Sequence, residues 1–426
     1  MGQKLIALVD LNSAYCEMER LFRPDLKGRA IVVLSSSDGC VVSRSAEAKK
    51  LGVKMGEVYF KIREWYEHQG GVAFSSNFTL YGDLSARFMA ILSTMTYQCV
   101  PYSVDEAWVT IDTAWAGDPT EYGRAIRAKV LQWIGLSSGV GIGPTKVIAK
   151  LASAASKRWP KTGGVVDLSD PARLAKLMAI TPVDEVWGIG RKLSAKLVDQ
   201  GIRTAADLAA ADPKILRRRY GVLVERTALE LRGIPCAGLE EMVKCRQQVI
   251  VSRTFGERIS NRDVMRQSLA VFIELATEKL RREGVCCQHI SIFMQTSMFD
   301  TKGPQYANQA STGLVVPTDD PRVLLATLEP LLTGTWRDGY PFSKAGIMLS
   351  DIQPKGLRQG DLFAADHIDP RREALMNVVD AINHSGKLGK VYFAARGHRD
   401  LSSMIKRERL SPRYTTNLAE LPVVKA

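Results

Sequence analysis

Tyr102-Ser103-Val104-Asp105-Glu106-Ala107-Trp108, continued by Val109-Thr110-Ile111, decides how the rest of the chain is understood. Two adjacent carboxylates stand between the Pro101 turn and a run of β-formers, which predicts acids at the head of a strand. Successive strand residues point to opposite faces, so a turn or bulge is needed for both acids to serve one site. Like charges this close repel unless a cation lies between them, and hard oxygen ligands suit Mg²⁺. A lone Asp-Glu pair is as a rule a solvated turn. What argues otherwise here is a further acid in apolar surroundings, Asp10.

Leu5-Ile6-Ala7-Leu8-Val9 predicts a buried strand ending in Asp10, where a charge is costly unless paired or metal-bound. The next residues, Asn12 to Arg20, predict a helix capped by Asn12 or Ser13. Its first backbone amides would face a phosphate beside an Asp10-bound metal. Ala30 to Leu34 predicts another strand, and Cys40 to Lys50 a strand running into a helix. Within that segment Ser43, Arg44 and Lys49 are candidates to hold a triphosphate, one by a hydroxyl and two by charge. Leu84, Phe88, Ile91, Leu92 and Met95 recur at helical spacing and predict a helix packed behind the sheet.

The net charge of +13 over 426 residues favours a polyanionic partner, nucleic acid before membrane. At about 100–200 residues per domain the length predicts two to four domains. No apolar run approaches the roughly 18 residues of a spanning helix, and no signal-peptide pattern opens the chain. Seven cysteines, with no CxxC or Cys/His zinc spacing, predict reduced thiols in the cytosol. From Gly123 to Val166 there are eight basic residues and no acid, a one-signed stretch suited to phosphates. Inside it Gly139-Val140-Gly141-Ile142-Gly143 predicts a close-packed strand and turn, and Thr145 to Lys157 a helix that aims Lys157 at the triphosphate.

After Asp167 short helices follow. Val186 to Leu193 fits a helix-hairpin-helix whose Gly188-Ile189-Gly190 turn offers amides to a DNA backbone without regard to sequence. From Lys244 to Asp351 the pattern is β-α-β-β-α-β, an independent module. Beyond it the composition turns polar, and Gln359-Gly360-Asp361-Leu362-Phe363 predicts a docking peptide with two exposed hydrophobes. The last fifty residues contain a helix-like basic run, Met404 to Leu410, and Ser411-Pro412-Arg413-Tyr414, with no core of their own.

Together these motifs resemble the Y-family translesion DNA polymerases, and within them the UmuC type, the catalytic subunit of bacterial DNA polymerase V. The residues that carry the resemblance are Asp10-Leu11-Asn12-Ser13-Ala14-Tyr15, Ala46-Glu47-Ala48-Lys49, Ser103-Val104-Asp105-Glu106-Ala107, Gly141-Ile142-Gly143 and Trp187-Gly188-Ile189-Gly190. Phe22-Arg23-Pro24-Asp25-Leu26 and Leu410-Ser411-Pro412-Arg413-Tyr414-Thr415-Thr416 point to the UmuC type. The resemblance implies an α+β multidomain right hand. Its parts are a ferredoxin-like palm (1–25 and 76–168), small fingers (26–75) and a helical thumb with the helix-hairpin-helix (169–240). A β-α-β-β-α-β little finger (244–352) and a C-terminal tail (353–426) complete it.

It also implies two Mg²⁺ ions held by Asp10, Asp105 and Glu106, with the Leu11 carbonyl as a further ligand. The nucleotide would lie against Asn12, Ser13, Ala14 and Tyr15, with Tyr15 selecting the sugar. Ser43, Lys49 and Lys157 would contact the triphosphate. Ala46 stands where many relatives carry an aromatic triphosphate contact, a role that passes to Arg44. Gln359, Leu362 and Phe363 match a sliding-clamp peptide, with Gly360 where an aliphatic residue is usual. The implied partners are primer-template DNA, a dNTP, a sliding clamp, a UmuD-type dimer and a RecA-type filament, in the bacterial cytoplasm during the SOS response. Two rival classes share parts of the pattern. A nucleotidyl cyclase would need neither the hairpin nor the basic stretch, and a non-catalytic scaffold would have lost one of the three acids.

Overall fold

The computed structural model describes residues 2–236, 238, 246–300, 303–355, 370–385, 390–397 and 407–421. Two compact units emerge, Met1–Val243 together with Arg409–Ala426, and Lys244–Glu408.

The first unit is built on a five-stranded sheet whose central strands are buried on both faces. The strands are β1 (Lys4–Leu11), β5 (Cys99–Pro101), β6 (Glu106–Asp112), β7 (Ser138–Gly143) and β8 (Val165–Asp167), in the order β5-β6-β1-β7-β8. Leu5, Ala7, Val9 and Leu11 of β1, with Ala107, Val109 and Ile111 of β6, face a core shared with the helices Phe78–Met95 and Pro119–Ile134. Leu8 and Trp108 take the opposite face, against Ala149 of the helix Lys146–Arg158. That helix lies almost on the sheet backbone because β7 is Gly-x-Gly-x-Gly. A Cβ at Gly141 would stand 2.0 Å from Ser153 N and 2.4 Å from Ala149 O. Only a residue without a side chain allows that crossing.

A smaller sheet, β3-β2-β4, comprises β2 (Ile31–Leu34), β3 (Val41–Arg44) and β4 (Val72–Ser75). It closes a core of its own around Val32, Leu34, Val41, Tyr59 and Tyr66. Five helices between Pro171 and Leu231 form an all-helical cluster around Val186, Leu197, Leu208, Leu216 and Leu231. In it Gly188 has φ of 93°, and Gly190 is the N-cap of the helix Arg191–Val198, where the hairpin motif puts the turn.

The second unit is an antiparallel sheet, β11-β10-β12-β9, of strands β9 (Gln248–Ile259), β10 (Val285–Thr296), β11 (Ala307–Thr318) and β12 (Phe342–Pro354). The long helix Arg262–Glu283 and a pair, Pro321–Ala326 and Leu328–Thr335, cover one face. The second helix of the β-α-β-β-α-β pattern is thus broken at Thr327.

The described parts of the C-terminal segment pack against the body of the chain. The helix Pro370–Ser385 seats Met376, 3% exposed, and its Asp380 takes a two-pronged bond from Arg281 at 2.6 and 2.8 Å. Residues 407–410 form a turn where the sequence predicts helix, and Ser411 and Tyr414 are buried in the first unit. The docking peptide with Gln359, Leu362 and Phe363 lies outside the described residues. No described helix is long and apolar enough to cross a membrane.

Candidate active site

The face problem of the paired acids is solved by where the strand begins. β6 starts at Glu106, and Asp105 belongs to the bend before it. Tyr102 N and Ser103 N both donate to Glu106 O, at 2.9 and 3.1 Å, which folds the turn tightly. Asp10 stands directly across from Glu106 in the β1–β6 register, so both side chains share one face. The Asp105 carbonyl accepts from Leu11 N at 2.9 Å, tying the turn to the end of β1.

Two lysines answer the two carboxylates. Lys157 Nζ lies 2.5 Å from Asp10 Oδ2, and Lys150 Nζ 2.5 Å from Glu106 Oε1. They sit seven residues apart, two turns of one helix, so both reach the same face. Burial pushes the Asp10 carboxyl up to about 7, reinforced by its hydrogen bond to Glu106 and opposed by Lys157. At Glu106 burial also pushes upward, but the bonds to Asp10 and Lys150 outweigh it and hold the carboxyl below its usual range. Burial makes two ionised carboxylates here costly, and a divalent cation between them would relieve that cost.

The donor set fits such a cation: hard oxygen ligands whose repulsion protein ammonium groups only partly relieve. No trio of ligating side chains stands preassembled among the described residues. Asp105 is the one turned aside, its carboxylate accepting from Ser103 Oγ at 2.5 Å. It lines the same cleft as Asp10 and Glu106.

That cleft, of about 390 Å³, is walled by Leu11, Ser13, Ala14, Tyr15, Ser43, Arg44, Lys49 and Lys157. Ser13 is the N-cap of the helix Ala14–Leu21, but with φ of 45° and no side-chain capping bond. A non-glycine residue in that left-handed region costs about 1–3 kcal/mol and is kept where the surroundings demand it. Its hydroxyl instead accepts from Lys49 Nζ at 3.2 Å. Lys49 is held below its ordinary range by burial, then by the nearby charges of Arg44 and Lys157. Three mutually repelling cations in one cleft call for a polyanion. Arg44 is fixed by an Nη1 bond to Val53 O at 2.7 Å. Tyr15 is stacked on Tyr81 at 4.4 Å and 14°, with Phe78 edge-on at 6.4 Å.

Asn12 is not part of the wall. Its amide turns away and donates to Ser137 Oγ at 3.1 Å. Gly188, Ile189 and Gly190 lie in the helical cluster rather than in the cleft, with Ile189 buried as the anchor of the turn. One link between the two regions leaves no mark in the sequence. Trp187 Nε1 donates to Tyr102 OH at 3.2 Å, and Lys150 Nζ stands 5.4 Å above the Tyr102 ring. Lys150 was visible in the sequence only as one of the eight basic residues. Its seven-residue spacing from Lys157 is the signal that would have singled it out.

Residues 9–154 match the impB/mucB/samB family, residues 246–362 that family's C-terminal domain, and residues 373–424 a domain of unknown function. The protein SamB of Salmonella typhimurium is 45% identical over 428 residues, covering 99% of this chain and 100% of its own. The protein UmuC of Salmonella typhimurium strain LT2 is 45% identical over 425 residues, with the same shares covered. A DNA polymerase IV of Moorella thermoacetica is 28% identical over 370 residues, 84% of this chain and 88% of that one. Among solved structures, a Y-family DNA polymerase chimera of Dbh and Dpo4 superposes with a TM-score of 0.63. It is 21% identical and covers 82% of this chain and 99% of its own, a likeness of fold. A ternary complex of Dbh gives 0.54 at 21% identity, over 81% of this chain and 98% of that one. With whole-length relatives at this identity, the chain belongs to the impB/mucB/samB family, as a UmuC-type DNA-directed DNA polymerase of the Y family.

Proposed function

We propose that Asp10, Asp105 and Glu106 are the catalytic carboxylates and that they hold two Mg²⁺ ions, with the Leu11 carbonyl as a further ligand. The reaction is error-prone, template-directed DNA synthesis across damage, the activity of this family. The observation that carries the assignment of residues is the Asp10–Glu106 register, with Asp105 tied to Leu11, at the mouth of a cleft walled by Arg44, Lys49 and Lys157.

Held by Asp10, Asp105 and Glu106, the ions would supply activation of the primer 3′-hydroxyl and stabilisation of the departing pyrophosphate. The chain's own residues do the positioning. Lys157 and Lys49 neutralise the triphosphate, aided by Arg44 and the Ser43 hydroxyl. Asn12, turned to Ser137, supports the backbone of Ser13 and Ala14 beneath the nucleotide. Tyr15 stands against the sugar. No protein nucleophile is required, since catalysis here is orientation and charge compensation. Gly188, Ile189 and Gly190 grip the duplex backbone through their amides.

The resemblance implies the division into palm, fingers, thumb, little finger and tail. The dNTP and primer-template are the substrates. The sliding clamp would be met by Gln359, Leu362 and Phe363, and a UmuD-type dimer and RecA-type filament by residues after Asp366, in the cytoplasm. The test is Asp105→Ala and Glu106→Ala in primer extension and filter binding. Extension should disappear while primer-template affinity stays within about a few-fold, because these acids bind metal and not DNA. Near wild-type extension by either variant sinks the assignment.

A further inference from the structure

The stretch Arg409–Tyr414 lies within the residues that match a domain of unknown function, and it is seated against the nucleotide cleft's own supports. Tyr15 is backed by the ring of Tyr81. The Tyr81 hydroxyl donates to Glu19 Oε1 at 2.6 Å, and the Ser411 hydroxyl donates to the same oxygen at 2.9 Å. Glu19 is 0% exposed, and its Oε2 has no hydrogen-bond partner among the described residues. A buried carboxylate with so few donors is costly to move or to leave unpaired, so each hydroxyl constrains it strongly.

The contact is built from several directions. Asn77 Nδ2 donates to Ser411 O and Ser411 Oγ, both at 3.0 Å, while its Oδ1 caps the helix that carries Tyr81. Tyr414 stacks on Phe22 at 4.6 Å and 13°. Arg409 O accepts from Ser75 N at 2.9 Å, and Arg409 N donates to Ser75 Oγ at 3.0 Å. Phe22 closes the helix Ala14–Leu21 and Ser75 ends β4, so the tail contacts both that helix and the β3-β2-β4 sheet.

We infer that Ser411, Glu19 and Tyr81 are positioning residues for sugar selection: the C-terminal segment fixes Glu19, Glu19 holds Tyr81, and Tyr81 holds the plane of Tyr15. The inference rests on Tyr15 being the sugar-facing residue. A gate discriminates by rigidity, since a ring free to yield no longer excludes a 2′-hydroxyl. The domain of unknown function thus contributes, through this segment, to nucleotide choice.

The experiment uses the full-length protein on a primer-template with matched dNTP and rNTP, and reads the ratio of their kcat/KM values. Tyr15→Ala should collapse the ratio most. Ser411→Ala and Tyr81→Phe, each removing one hydroxyl, should lower it by roughly 3- to 10-fold, the net worth of one ordinary hydrogen bond. Loss of stability alone would slow both nucleotides alike and leave the ratio where it was. If Tyr15→Ala alters the ratio and both hydroxyl variants leave it unchanged, the inference falls and the gate stands. If Tyr15→Ala also leaves it unchanged, the gate reading fails and the inference falls with it.

Discussion

Gly141→Ala tests whether the glycine strand sets the position of Lys150 and Lys157, the two lysines paired with Glu106 and Asp10. The new methyl would stand 2.0 Å from Ser153 N and 2.4 Å from Ala149 O. Ordinary carbon contacts begin near 3.5 Å, so the helix Lys146–Arg158 must retreat by about 1.5 Å. Both obstacles are backbone atoms, which cannot rotate aside, so the cost falls at the upper end of the about 1–3 kcal/mol typical of overpacking. The retreat carries Lys150 and Lys157 away from Glu106 and Asp10. A displacement of about 1 Å at reacting groups costs on the order of 100-fold in rate. Single-nucleotide insertion kinetics should show that loss, with a melting temperature lowered alongside. Gly82→Ala is the control. It lies inside the helix Phe78–Met95 with nothing beyond its own helix backbone and chain neighbours within 4 Å of the added carbon, and should stabilise by about 0.5–1 kcal/mol. Wild-type insertion rates in a folded Gly141→Ala protein would refute the idea that the glycines place the lysines.

Lys157→Met should raise KM for the dNTP by roughly 10- to 100-fold, the worth of one charge-assisted contact, with a smaller change in kcat. Steady-state kinetics at saturating primer-template measure it, and an unchanged KM would detach Lys157 from the triphosphate. A third expectation concerns pH. Because burial raises Asp10 in the folded state to about 7, that state binds more protons than the unfolded chain between about pH 4 and 7. Asp10 therefore costs stability progressively as pH rises through that window, and Asp10→Asn should melt above wild type at pH 8 in a chelator. Mg²⁺ should narrow the gap by stabilising the wild type alone. Equal melting points in the chelator would contradict the burial argument.

Much of this was legible where the physics is local. The apolar run before Asp10 encodes a buried strand, and the need for a turn at Asp105 follows from strand alternation. The structure supplies the turn by starting β6 one residue later. The Gly-x-Gly-x-Gly run announced close packing, and the helix after it came within a residue of its observed start at Lys146. Which lysine meets which acid was not legible. That depends on the angle at which a helix crosses a strand, and no periodicity in either element records it.

Glu19 shows the same limit at longer range. On a short helix rich in Glu and Arg it reads as one more solvated charge, like Glu17, which does pair with Arg20 at 2.6 Å. Two residues on, Glu19 is fully buried, because a segment 392 positions away covers it. Closing a loop of that length costs only slightly more than closing one half as long, so sequence distance does not argue against the contact. Neither does it leave a mark in composition or period. What the tail did show was polar and aromatic residues without a core, Ser411 and Tyr414 among them. A segment of that kind either stays solvated or finds a surface with matching unmet bonds. Glu19, one turn beyond Tyr15 on the first helix of the fold, and Phe22 at that helix's C-cap offer such a surface.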